Sequence, residues 1–373
     1  MSDQPQPPDD SNGAGASAHA STRTIRVAAM ARVEGEGALT VHLRDGQVDD
    51  VQLRIFEAPR FFEALLRGRF IAEVPDITAR ICGICPVAYQ MSACHALEAL
   101  LGVTLPDSLR ALRRLLYCGE WIESHVLHIA FLHAPDFLGY ESAFAMAQDR
   151  PEFADRLRDA LQLKKAGNAI VDLVGGRAIH PINVRLGGFY RAPTKSQLAS
   201  LAEQLKSVQK ITRDLVRWTA SLDFPVMEHD YEFVALAHPS EYPMNEGRLV
   251  SNRGMDIAMH QFPEQFEEYQ VPYSNALQCR RQGGGAYFVG PLARWNLCAD
   301  HAGSEIQQLA CETGISWPCR NPYVIIVARA LETAYAVDEA IRVIEEYEIP
   351  ANQAVMYEVR AGSAAWITEA PRG

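Results

Sequence analysis

Two cysteines three positions apart, Cys82 and Cys85, sit in the run ARICGICPVAYQ between Ala79 and Gln90. A turn carrying two thiolates at this spacing aims both sulfurs at one point, which suits a soft or borderline metal. Gly83 is expected to let the backbone approach closely there, and the charge of Arg80 to favour the ionised thiols. Spacing alone leaves three chemistries open: metal ligation, a dithiol redox pair, or two inert buried cysteines. Zinc would require two more ligands at comparable spacing, and no second pair stands nearby. A thioredoxin-like pair would follow a strand of a βαβ unit, whereas these residues open a helical stretch. His125 and His128 lie three apart on a helix and could ligate metal, but their apolar surroundings favour satisfied core or interface histidines. His180-Pro181 reads as a structural loop. Cys94, Cys118, Cys279, Cys298, Cys311 and Cys319 share no ligand spacing and read as small buried apolar residues.

The elements that must position these residues are mostly helices. From Thr24 to Phe56 the apolar period is two: Leu39, Val41 and Leu43 precede Asp45-Gly46, and Val48, Val51, Leu53 and Ile55 follow it. That pattern predicts a hairpin, because glycine tolerates the positive φ of its turn. Helices are expected from Pro59 to Arg69, from the cysteine turn to Leu101, and from an Asp107 cap to about His133, where Pro135 stops the last. Pro151 opens another, closed by Gly175-Gly176, and Thr194 caps one with apolar residues at three- and four-residue steps. A long apolar helix covers Asn321 to Tyr347, and Asp223 to Asn296 reads as irregular. The expected fold is mainly α with a small β portion (α+β): a bundle of long helices decorated by an N-terminal antiparallel β hairpin.

Composition narrows the function. The 373 residues are 48% apolar, and 46 acidic against 35 basic side chains leave a net charge of −11. That balance argues against a nucleic-acid binder, whose phosphate contacts need a basic face. No run of about 18 apolar residues occurs, so no transmembrane segment is expected. Eight cysteines fit a reducing compartment, and a start without a basic, apolar leader adds to a cytoplasmic reading. Residues 1–22, rich in Pro, Gly, Ser and Asp, are expected to form a disordered tail, with one domain over 23–373.

Longer words specify more. ARVEGEG (31–37), RFFEALLRGR (60–69), ARICGICPVAYQ (79–90) and EAPRG (369–373) occur in this order. Between them lie ESHVLHIAFLHAPDFLG, GGRAIHPINVRLGG, YSNALQCR, GAYFVGPLARWNL and CRNPYVIIVARALE. From about Arg26 to Gly373 the chain resembles the large, active-site subunit of nickel–iron hydrogenases. It is most similar to the cytoplasmic, NAD(P)-linked branch with sulfhydrogenase-like α subunits.

The resemblance implies reversible H2 oxidation at a nickel–iron centre whose iron carries CO and cyanide. It makes Cys82 a terminal nickel ligand and Cys85 the bridge between the metals. Glu34 becomes the proton relay beside the thiolates, a role that burial of its carboxyl would support. Glu63 becomes a ligand to structural Mg2+, a hard cation that takes oxygen donors. Pro371 and Arg372 line the pocket of the diatomic ligands, with the guanidinium able to hold a cyanide nitrogen. Electrons would leave to an iron–sulfur small subunit, since this chain has too few grouped cysteines for clusters. NAD(P)-linked diaphorase-type subunits would follow, because no G-x-G-x-x-G stands here. Without the family motifs, Glu34 would read as a hairpin-edge carboxylate and Glu63 as the exposed face of a helix.

Two departures stand out. Tyr89 occupies the position where many members have histidine, as the nicotinamide-linked branch often does. The family's D-P-C-x-x-C-x-x-H segment, with the other two thiolates and a histidine on the magnesium, does not follow EAPRG here. The sequence therefore carries half of the family's sulfur ligands and reads as C-terminally truncated. The alternatives are a segment supplied by another polypeptide, or a non-catalytic scaffold subunit of a hydrogenase-like or complex-I-like assembly.

Overall fold

A computed structural model of the chain describes residues 21–373 except Glu34 and Pro59. The tail expected up to residue 22 therefore lies, but for its last two residues, outside the described residues, as does the relay carboxylate assigned to Glu34. The chain forms two compact units, Met1–Pro59 with Tyr269–Gln278, and Arg60–Glu268 with Cys279–Gly373.

The smaller unit is an antiparallel sheet of β1 (Thr22–Val27), β2 (Gly37–Arg44) and β3 (Gln47–Ile55). Asp45 and Gly46 both take positive φ, 52° and 78°, as a two-residue hairpin turn with the twist of its strands requires. The Ser274 hydroxyl accepts from the Ile55 amide, and the Asn275 amide donates to the Ile55 carbonyl, which ties 269–278 to the end of β3. The register aligns Ile25, Val41 and Val51 across the sheet, with Val27, Leu39 and Leu53 beside them. This aliphatic face is largely exposed, while Ala38 and Thr40 on the opposite face are buried.

The larger unit begins with α1 (Phe62–Leu66) and α2 (Val74–Thr78), followed by α3 (Pro86–Leu101) and α4 (Asp107–Leu127). Short helices α5 (Ala134–Phe137) and α6 (Ala143–Asp149) lead to the long α7 (Pro151–Gly175) and α8 (Lys195–Ala220). Then come α9 (Phe262–Gln265), α10 (Pro291–Cys298), α11 (Ser304–Glu312) and α12 (Ile325–Glu345). The bundle expected from sequence is present: α4 packs on α7 and α12, and α12 on α8. Thr194 caps α8 with a reciprocal Gln197 bond, and Gly176 closes α7 at φ 86°.

Three boundaries differ from expectation. Pro135 does not stop the helix before it. The winding passes through a π segment, His128–His133, and Pro135 sits in the first turn of α5, where its missing N–H is not needed. Between Asp223 and Asn296 a three-stranded sheet forms from Val234–Ala237, Arg248–Ser251 and Asp256–Ile257. Its strands are too short to show a period. The helix expected from Pro59 is confined to Phe62–Leu66.

The α4–α7 crossing depends on two glycines. A Cβ on Gly167 would lie 2.8 Å from the Gly119 carbonyl oxygen and 2.8 Å from the Glu123 amide nitrogen. One on Gly119 would lie 2.8 Å from Val171. Backbone atoms cannot step aside as a flexible side chain can, so the helix-propensity gain of alanine is outweighed. Gly167→Ala is expected to lower unfolding stability by about 1–3 kcal/mol in urea titrations. An unchanged or raised midpoint would show that the crossing tolerates the methyl.

Candidate metal centre

The cysteine turn is fastened from both sides. Cys82 follows the short helical turn Ala79–Ile81 in extended conformation, and Cys85 is the N-cap of α3. Their sulfurs are 2.50 Å apart, with Cα atoms 5.4 Å apart. The amides of Ile84 and Cys85 donate to Cys82 Sγ at 3.4 and 3.1 Å. Arg60 donates to the Ile81 carbonyl at 2.6 Å, and His180 Nδ1 lies 2.8 Å from the Ala79 carbonyl. Arg177 donates to the His180 carbonyl and Gln90 to that of Pro181, so the 177–181 loop braces the turn. His180-Pro181 thus has the structural place expected of it. Gly83 does not: a Cβ there would meet nothing within 4 Å, so crowding is no reason for that glycine. Arg80 acts with Arg177 on the half-buried Asp76, whose carboxyl burial pushes up against both.

Pro371 and Arg372 are positioned by an arginine that sequence reasoning missed. Arg294, fully buried on α10, donates to Glu332 of α12 at 2.7 and 2.8 Å and to Glu369 at 2.9 Å. It also donates to the carbonyls of Ala370 and Pro371 at 2.9 and 3.0 Å. Burial opposes a charged Arg294, but Glu332 and Glu369 outweigh it and hold the guanidinium above the ordinary arginine range. Glu332 answers in kind: burial would raise its carboxyl, yet Arg294 and His125 pull it down to about 2. The segment is tied to α3 as well, since Thr368 donates to the Ala88 carbonyl at 3.1 Å and meets Ser92 at 2.6 Å. One continuous set of contacts thus runs from the helix that starts at Cys85 to Pro371. A sequence signal existed: Arg294 in PLARWNL and the i, i+3 pair Arg329 and Glu332 in VIIVARALE are charges inside apolar runs.

His125 lies 2.9 Å from Glu332 through Nε2, and Arg329 approaches its Nδ1 at 3.2 Å. Because Arg329 can only donate, Nδ1 accepts and the proton sits on Nε2, facing Glu332. Arg329 also reaches the Pro371 carbonyl at 3.5 Å, and burial, with Arg294 and Arg372 nearby, brings it down to about 9. His125 is therefore a core histidine, as expected. Glu63 is exposed on α1. Among the described residues no three His, Cys, Asp or Glu side chains gather as a metal cage. What does converge is a pair of soft sulfur donors on one turn, which fits a thiolate-binding metal as two of its ligands.

Known proteins resemble this chain. Residues 60–162 match the family model described as Nickel-dependent hydrogenase. The chain is 34% identical over 353 residues to the alpha chain of sulfhydrogenase 2 from Pyrococcus furiosus, covering 94% of this chain and 82% of that protein. It is 31% identical to the alpha chain of sulfhydrogenase 1 from the same organism, again over 94% of this chain and 82% of the relative. The chain belongs to the nickel-dependent hydrogenase family. In fold it is similar to an NAD+-reducing [NiFe]-hydrogenase in the H2-reduced state, with TM-score 0.79, 22% identity and coverage of 92% and 82% of the two chains. It is likewise similar to the [NiFeSe]-hydrogenase of Dm. baculatum, with TM-score 0.76, 22% identity and coverage of 94% and 85%. The expected large-subunit fold is thereby confirmed, and no helix of the described residues is long and apolar enough to cross a membrane.

The buried histidines set a pH dependence. Burial, with Arg329, lowers His133 to about 4, and burial lowers His125 to about 4 against the pull of Glu332. Burial with Arg329 lowers His128, and burial with Arg113 lowers His95, each well below the ordinary range. Unfolding frees these groups to take up protons below about pH 6.5, so stability is full above that pH and is lost as pH falls toward 4. The unfolding free energy from urea titrations is expected to fall between pH 6.5 and 4.5, by up to about 1.4 kcal/mol per pH unit for each histidine. Glu120 and Glu123 oppose part of that fall: burial pushes both carboxyls up, Glu123 to about 7, so they stabilise the fold as pH falls. Imidazole NMR signals of these histidines that titrate near pH 6.5 in the folded chain would contradict the buried neutral state.

Proposed function

We propose that this chain is the large subunit of a nickel–iron hydrogenase that carries out reversible H2 oxidation and proton reduction. The observation that supports it most is the meeting of the Cys82 and Cys85 sulfurs on one braced turn in a member of a nickel-dependent family. Bound nickel and iron would polarise H2 and take up its electrons. Cys82 would be a thiolate ligand to nickel, and Cys85 would supply its thiolate to nickel and iron. Pro371 and Arg372, fixed by Arg294, would wall the pocket of iron-bound CO and cyanide, with the guanidinium donating to a nitrogen. Glu34 would take the proton released at a cysteine sulfur and return it in the reverse direction. Glu63 would contribute to a Mg2+ site.

The domain carrying these residues would span 23–373. Its partners would be an iron–sulfur small subunit and NAD(P)-linked diaphorase-type subunits. The similarity to alpha chains of named hydrogenases supports the first, and the likeness to an NAD+-reducing enzyme the second. A cytoplasmic place fits the composition. The scaffold alternative predicts a chain without nickel.

Two substitutions in the assembled enzyme test this reading. Cys82→Ser is expected to lower both nickel per chain and hydrogen/deuterium exchange activity by at least about tenfold. Wild-type nickel content in that variant would remove Cys82 from the ligand set. Glu34→Gln is expected to keep nickel and the infrared bands of CO and cyanide while slowing exchange by about a hundredfold. Exchange at the wild-type rate would exclude the carboxylate from proton transfer.

A further inference from the structure

The entrance of α3 poses a problem of hydrogen bonding. Its N-cap is Cys85, yet that side chain makes no capping bond, and Pro86 follows at the first helical position. The N–H groups that an N-cap side chain normally takes are those of the second and third helical residues, here Val87 and Ala88. Both point instead at Glu120, a fully buried residue on α4. Its Oε2 accepts from Val87 at 2.6 Å and its Oε1 from Ala88 at 3.3 Å. With the Ile84 and Cys85 amides donating to Cys82 Sγ, every N–H from 84 to 88 is engaged, and none calls on the Cys85 sulfur. Burial pushes the Glu120 carboxyl up, and the two amides work against that shift.

We propose that Glu120 is a positioning residue for Cys85. It caps α3 from the neighbouring helix and so frees the N-cap sulfur to point at Cys82. This rests on the reading of the pair as metal ligands. Without the carboxyl, the Val87 and Ala88 amides lose their acceptor in a buried place, and the side chain that an N-cap ordinarily offers them is that of Cys85 itself. A sulfur turned inward to cap its own helix no longer meets its partner. The fixing of a ligand by a residue that does not touch the metal is a general feature of metal sites, and its loss typically weakens affinity 10–100-fold.

The test uses the full-length chain, reduced and metal-free, titrated with cobalt(II) while the thiolate-to-cobalt charge-transfer absorption is read. Amide exchange at 87–90 is followed in parallel. The wild type is expected to give the band, and Glu120→Leu to need about ten- to a hundredfold more cobalt, with faster exchange at Val87 and Ala88. Glu120→Gln keeps one acceptor oxygen and turns an NH2 group against the other amide, so it should fall between them. Leu112→Ala, which removes buried packing from the same helix, is expected to lower stability and leave the cobalt midpoint unchanged. A wild type without the band overturns the two-thiolate reading and this inference with it. A wild type with the band, and Glu120→Leu with an unshifted midpoint, overturns the inference alone. Should the leucine variant not fold, an unshifted midpoint in Glu120→Gln overturns it equally.

Discussion

A guanidinium removed from water is costly unless acceptors meet its N–H groups and a carboxylate balances its charge. Arg294 makes five such bonds: two to Glu332, one to Glu369 and two to the carbonyls of Ala370 and Pro371. Its plane also lies over Trp121, 4.4 Å from the ring centre. The acceptors are committed elsewhere too. Glu332 receives the Tyr242 hydroxyl at 2.8 Å, and Glu369 receives the Leu236 amide at 2.7 Å. A lysine could not reproduce this planar fork, because its single ammonium has three donors and no second arm. The arrangement makes α10, α12 and the 369–371 segment one rigid body, and Arg372 is carried on it. On the far side, a Cβ on Gly290 would come within 2.3 Å of the Arg372 carbonyl oxygen, so the chain passes too close there for any other residue.

The same logic recurs along α4, which is why that helix organises the larger unit. Arg113 meets Glu98 of α3 at 2.6 and 2.7 Å, and Glu98 also accepts from the Gly187 amide. Arg114 pairs with Glu339 of α12 and reaches the Tyr335 hydroxyl at 2.5 Å. Glu120 reaches α3 again, and Gly119 lets α7 approach on the remaining side. Buried pairs of this kind add little net stability over apolar packing, but removing one partner is costly because the other is stranded. Their contribution is therefore to register: each pair has one geometry in which guanidinium and carboxylate meet, even where a donor such as Arg113 Nε has no hydrogen-bond partner among the described residues. Three helices meet α4 at fixed heights, and the cysteine turn at the head of α3 inherits that precision.

Much of this frame was legible in the residues alone. The apolar steps of Leu198, Leu201, Leu205, Val208 and Leu215 marked α8, with Thr194 as its cap, because period and capping chemistry are local. The Asp45-Gly46 turn was readable for the same reason, and Cys82 and Cys85 were singled out by spacing. What escaped was non-local. Arg294, Arg329 and Glu332 are charges inside apolar helices, and only the fold shows that Arg294 meets Glu332. Glu120 gave no signal, since a cap supplied from another helix leaves no mark at the cap position itself. Conversely, alternation in β2 identified the strand but not its buried side: the face bearing Leu39, Val41 and Leu43 is the more open one, and Ala38 and Thr40 point inward.

The π segment after α4 shows how one winding defect changes which residues meet. In an α-helix, residues five apart are separated by about 140° around the axis, so His128 and His133 would face different ways. Five-residue hydrogen bonding places such residues one above the other. The two imidazoles accordingly meet edge to face with centroids 4.3 Å apart. Among the described residues neither nitrogen of His128 has a hydrogen-bond partner, and both rings lie in the field of Arg329 and Arg372. Cationic neighbours and burial act in the same direction and keep both rings neutral. Two neutral rings near the Arg372 segment add no further positive charge to a place already holding two guanidiniums. The winding change, with Pro135 tolerated just beyond it, is what makes that neutrality and that proximity compatible.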